Sequence, residues 1–174
     1  IPYSWAKSWH LQLAIFWIAT TWIASSIYLA PIVGGREPRK QRLLVEILFG
    51  AVLLVAVGSL VGQVLGINGM FGEGWFWFGH QGWEYLELGR FWQILLLVGL
   101  VGWLLIVYRA VSDRTQRIQD PDFRQLVHFY VLSAILVVVF FAFGLFFARG
   151  SHLTVADYWR WFVVHIWVES IFEF

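Results

Sequence analysis

Apolar residues fall into five long runs divided by short polar segments, at about 9–31, 43–66, 91–108, 126–147 and 155–174. A helix that crosses the hydrocarbon core of a bilayer needs about 20 mostly apolar residues. Each run therefore predicts one transmembrane helix, and the pattern describes an all-α integral membrane protein whose single transmembrane domain covers residues 1–174. The first run carries His10 and Gln12 near its start and is too long for the apolar region of a secretory signal. No internal repeat or low-complexity tract interrupts the series. Phe174 falls inside an apolar run with no Gly, Pro or basic stop signal, and Ile1-Pro2-Tyr3 opens as a loop without an initiator Met. The sequence is accordingly expected to be truncated at both ends.

Composition points the same way. Soluble domains are roughly half apolar and about a quarter charged, whereas this chain is 60% hydrophobic and 13% charged. Its mean hydropathy is +0.70, more apolar surface than an aqueous fold of 174 residues can hide. Aromatic residues make up 20% of the chain, as expected where rings gather at both headgroup levels and fill gaps between helices. The formal net charge of +1 identifies no partner. Basic residues sit in short loops and form no stripe, which argues against nucleic acid. With no Cys, disulfides, thiolate metal sites and covalent haem attachment are excluded. Any metal is left to His and carboxylate.

Orientation follows from Lys and Arg in short loops, because cytoplasmic loops carry the excess. Arg36, Arg39, Lys40 and Arg42 follow the first run, and Arg109, Arg114, Arg117 and Arg124 follow the third. The opposite side has Lys7, Arg90, Arg149 and Arg160, together with Glu73, Glu84 and Glu87. The N-terminus, the 67–90 loop and the start of the last helix are therefore expected outside.

Ionisable groups within spans are costly and so become functional candidates. His10 lies at the outer end of the first helix. His165 and Glu169 lie about two to three turns into the last one, with Glu173 one turn further. A spacing of four puts His165 and Glu169 on one face, about 6 Å apart along the axis. An imidazole with a carboxylate and no sulfur suits iron or a similar divalent metal better than copper(I). On the spacing alone, a buried His–Glu hydrogen bond or a metal-free proton relay stays open. For Glu173, a carboxyl facing a water-filled cavity stays open beside direct ligation.

These residues also carry a family resemblance. The segment HLTVADYWRWFVVHIWVESIFEF, from His152 to Phe174, resembles the large subunit of nitric oxide reductases, the iron-containing branch of the haem–copper oxidase superfamily. The likeness extends over the whole chain. SWHLQLAIFWIATTWIASSIYLAP, from Ser8 to Pro31, resembles the helix with an axial ligand of the low-spin haem b, and GHQGWEYLELGRFWQ, from Gly79 to Gln93, resembles the quinol-dependent members. Those members also carry an N-terminal cytochrome-c-like domain without haem c, which on this resemblance would lie before Ile1.

The resemblance implies that the helices are part of a twelve-helix bundle in a bacterial or archaeal cytoplasmic membrane. It implies that His10 is an axial ligand of low-spin haem b, and that His165 and Glu169 ligate a non-haem iron facing a high-spin haem. Many oxidases of the superfamily have Tyr four residues after the corresponding His and use copper, so Glu169 favours NO over O2. Glu173 matches a second glutamate near the iron, a proton or electrostatic group. Glu84 matches a carboxylate that binds calcium beside the haem propionates, and Glu87 a nearby glutamate. The remaining iron imidazoles and haem ligands would come from helices beyond Phe174. The superfamily keeps its haems near the outer face, and charge alone had placed both His10 and His165 in the outer half of their helices.

The remaining candidates are weaker. His80 and His152 read as loop-ordering or solvated residues, and His128 has no metal-spaced partner. The glycine-rich stretch 66–82 lacks the Lys-Ser/Thr ending of a phosphate loop. Within it, Trp75-Phe76-Trp77-Phe78 reads as an interfacial anchor. The expected reaction is reduction of two NO to N2O and water with quinol electrons. Alternatives are a terminal oxidase of the same superfamily, or a cofactor-free proton channel or carrier.

Overall fold

A computed structural model of the chain describes residues 1–79, 88–115, 118–167 and 169. These residues form helices and turns and, among them, no strands. The order is α1 (Tyr3–Gly34), α2 (Gln41–Ile67), a 3-10 turn at Gly72–Gly74 running into a short α3 (Trp75–Phe78), α4 (Arg90–Thr115), α5 (Pro121–Phe143) and α6 (Leu153–Trp167). Among the described residues four helices, α1, α2, α4 and α5, are long and apolar enough to cross a membrane. The fifth expected span corresponds to α6, which is described over 15 residues. That is about 22 Å of helix. Residues 168 and 170–174 of that run, and with them Glu173, lie outside the described residues, as do His80, Glu84 and Glu87.

Several boundaries differ from those the apolar runs predicted, each for a local reason. The first helix was expected to stop at Pro31. It continues three residues past the proline, to Gly34, at the loss of the one backbone hydrogen bond that Pro31 cannot donate. Gly35, with φ 72°, then ends it in the left-handed region. The helix expected at 126–147 is shifted toward the N-terminus, to Pro121–Phe143. Asp120 caps it by accepting the Asp122 N–H at 3.0 Å, and Pro121 supplies a preset first turn. Polar first-turn residues were missed because only apolar runs were counted.

α4 is central, packing against α1, α2 and α5, with α6 against α5. In a bilayer the lipid is as apolar as the side chains, so helices associate through small residues and hydrogen bonds. The buried stripe of α1 follows this rule: Ser8, Gln12, Ser26, Ala30 and Gly34. At Gly34 the approach is so close that a Cβ would overlap the Ala110 carbonyl oxygen of α4. Large apolar residues such as Trp17, Phe49, Leu54 and Phe129 face outward.

Trp103 of α4 is fully buried. Its Nε1–H donates to Ser26 Oγ at 2.8 Å, and its ring lies 5.1 Å from that of Trp22. From α5, the Tyr130 hydroxyl donates to the Ser26 carbonyl at 2.7 Å. One serine thus links three helices.

The loops group at the two ends of the helices. Arg149, after α5, pairs with the Glu73 carboxylate and donates to its carbonyl at 3.2 Å. At the other end, Arg109 donates to the Arg39 carbonyl at 3.1 Å. The aromatic run 75–78 is more than an interfacial anchor, because Trp92 Nε1–H donates to the Phe78 carbonyl at 3.0 Å and ties α3 onto α4.

Candidate functional site

α6 begins at Leu153, with His152 Nδ1 accepting the Thr154 N–H at 3.2 Å. That is the loop-ordering role its sequence position suggested. Among the described residues of this helix, Ala156, Arg160 and Val163 are buried. At 100° per residue they share one side, and His165 and Glu169 fall about 180° away. The sequence-predicted pair is brought together on that open side: His165 Nε2 and Glu169 Oε1 are 2.8 Å apart, with side-chain exposures of 39% and 53%. Trp161, one turn earlier, stacks on the His165 ring at 3.9 Å and 21°. The stack restricts the imidazole's rotation. Sequence reading missed Trp161, although its spacing of four from His165 announced it.

Two adjacent donors, one nitrogen and one oxygen, are fewer than a metal site needs. An ion needs further ligands, and among the described residues no group of three His, Cys, Asp or Glu side chains converges. The pair therefore fits a metal whose remaining ligands arrive from the open side. As it stands, the two side chains are within hydrogen-bonding distance of each other.

His10 lies on α1 seven residues after Tyr3, about 10 Å along the axis. It is exposed, on the face opposite the buried Ser8 and Gln12. An axial haem ligand needs an imidazole nitrogen free to meet a macrocycle, and this placement leaves it free of the packed side of the helix. His10 and the His165–Glu169 pair are not in contact. His128 is exposed on α5, as its lack of a spaced partner suggested.

Sequence reading also missed an outer cationic cleft. It is lined by Arg90, Gln93, Phe147, Arg149 and Arg160. Arg90 is buried, donates to the Phe147 carbonyl, and sits 4.5 Å over the Phe147 ring. Counting charges by loop registers these arginines and leaves their convergence unseen.

Helices of bilayer length that bury small and polar residues against one another define a helical membrane protein. The family model described as cytochrome c and quinol oxidase polypeptide I matches residues 2–174. The chain belongs to that family, subunit I of the haem–copper oxidases, and so to a superfamily of membrane oxidoreductases that bind haem and a metal centre.

Proposed function

We propose that the chain is part of the catalytic transmembrane domain of a nitric oxide reductase. The reaction joins two NO with two electrons and two protons to give N2O and water. Quinol is the proposed donor, and a bacterial or archaeal cytoplasmic membrane the proposed location. The observation that carries this reading within the family is the His165–Glu169 pair, 2.8 Å apart on one helix. A carboxylate four residues after the imidazole gives a harder donor set, suited to iron rather than copper.

In this reading His165 and Glu169 hold a non-haem iron, and His10 is an axial ligand of a low-spin haem b. When bound, the irons of this site and of a high-spin haem supply Lewis-acid and redox chemistry to NO. Glu169 offsets part of the metal's charge and favours its ferric state. Trp161 holds the imidazole plane. Glu173 is assigned a proton-transfer or electrostatic role, since a separation of eight residues corresponds on an ideal helix to about 12 Å. Glu84 is assigned to calcium, whose charge would offset crowded carboxylates.

The test is metal analysis of the full-length enzyme, normalised to haem. Iron in excess of haem is expected in the native enzyme. Glu169→Ala should lose that excess and the activity together while keeping both haems, and Glu173→Ala should keep most of the iron and lose rate. Full excess iron in Glu169→Ala would overturn the assignment. The family match also accommodates a terminal oxidase, and copper in place of the excess iron would select it.

A further inference from the structure

Next to His10, the face of α1 that meets α2 is unusually polar for a membrane interior. Gln12 Nε2 donates to Ser59 Oγ, and Gln63 Nε2 donates to Gln12 Oε1. Ser59 Oγ in turn donates to the Ala56 carbonyl at 3.1 Å. Ser59 and Gln63 are each only 1% exposed, and Gln12 is buried with them. One residue before His10, Trp9 Nε1–H donates to the Leu60 carbonyl at 3.1 Å. Contacts at positions 9 and 12 thus bracket position 10.

Helical geometry gives this bracket a consequence. Ser8 and Gln12 are on one side of α1, and two residues at 100° each put His10 about 180° from their midpoint. Rotating α1 by even part of a residue would pull the Gln12 amide out of its network into a region with no water to replace the lost bonds. Apolar packing between α1 and α2 would resist such a rotation far less, because it has no direction. The polar network therefore fixes the direction in which the His10 imidazole leaves the helix. Among the described residues Gln63 Oε1 has no hydrogen-bond partner, so the network has a spare acceptor and is not simply saturated helix glue.

We infer that Gln12, through Ser59 and Gln63, is a positioning residue that sets the orientation of the His10 imidazole as a haem ligand. The inference rests on the proposed ligand role of His10. Polar groups behind a metal-bound imidazole tune its orientation and the properties of the metal. Here the control passes through the azimuth of the helix, since the network never touches the ring.

The test uses the full-length enzyme and the electron paramagnetic resonance of the oxidised low-spin haem, whose g-values follow the orientation of the axial imidazole. Gln12→Leu should leave membrane levels and haem content in place while displacing and broadening the largest g-value. Ser26→Ala removes a polar contact sixteen residues along the same helix and should leave that signal unmoved. Exchanging the partners, as Gln12→Ser with Ser59→Gln, should restore part of the native signal. An unmoved signal in Gln12→Leu overturns the inference. Should Gln12→Leu fail to retain haem, the milder Ser59→Ala decides in the same way, a displaced signal supporting and a native one refuting. His10→Ala separates the two levels. A native low-spin signal there defeats the ligand assignment itself, whereas its loss there with a native signal in Gln12→Leu defeats only the positioning role.

Discussion

Ser26→Ala should cost stability only when Trp103 is there to be orphaned. In the native chain Ser26 Oγ accepts from Trp103 Nε1 at 2.8 Å and donates to the Ile23 carbonyl at 2.7 Å. Removing the hydroxyl leaves an indole N–H without an acceptor at a residue of 0% exposure. A buried orphan donor costs about 1–3 kcal/mol, while side-chain hydrogen bonds within membranes average about 0.6 and reach about 1.7 kcal/mol. Full burial favours the upper part of the membrane range, so we expect about 1.5 kcal/mol. At about 2–4 °C per kcal/mol for a chain of 150–250 residues, this lowers Tm by about 3–6 °C. Trp103→Phe empties about 40 Å³, which at about 24 cal/mol per Å³ costs about 1 kcal/mol. It orphans nothing, because Ser26 keeps Ile23. Adding Ser26→Ala to Trp103→Phe should then cost close to nothing. Thermal melts of the two single variants and the double, in one detergent, measure the cycle. Equal losses from Ser26→Ala in both backgrounds would refute the bond.

Gly34→Ala should be strongly destabilising, by about 1–3 kcal/mol for overpacking against backbone, because its Cβ meets the Ala110 carbonyl. Gly50→Ala, whose Cβ would have nothing within 4 Å, should be neutral within about 0.5 kcal/mol, and thermal melts compare the two. Glu84→Gln should lower bound calcium and loosen haem retention. Calcium per haem in the purified enzyme checks it, and a native ratio would remove Glu84 from the calcium site.

Four of the five expected spans were legible because a bilayer imposes a length and a composition that nothing else in the chain shares. The helix ends were less so. Asp120-Pro121 is a good start signal, yet it lies outside the apolar run and was read as loop. The interior face was almost invisible. Amphipathic periodicity identifies a buried face only where the outside is water, whereas here the outward residues of α2, Ile47, Leu54 and Val61, are as apolar as any core. The buried stripe of α1 could have been found by searching for small and polar residues at spacings of four, as at 8 and 12 and again at 26, 30 and 34. The His165–Glu169 pair was legible for the same geometric reason, a spacing of four. The outer arginine cleft was not, because Arg90 and Arg160 are 70 residues apart and no local rule joins them.

One regularity connects the two ligand positions. His10 lies opposite the packed face of α1, and His165 and Glu169 lie opposite the packed face of α6. Had these helices merely tolerated polar residues, the imidazoles and the carboxylate would be expected on the packed side, where Gln12, Ser26 and Gln63 find hydrogen-bond partners. They are on the other side. An imidazole or a carboxylate turned toward lipid is costly, so in the proposed reading His10, His165 and Glu169 meet cofactors or further helices rather than acyl chains. The large aliphatic residues of α2 and α4 suit lipid on their own outward faces.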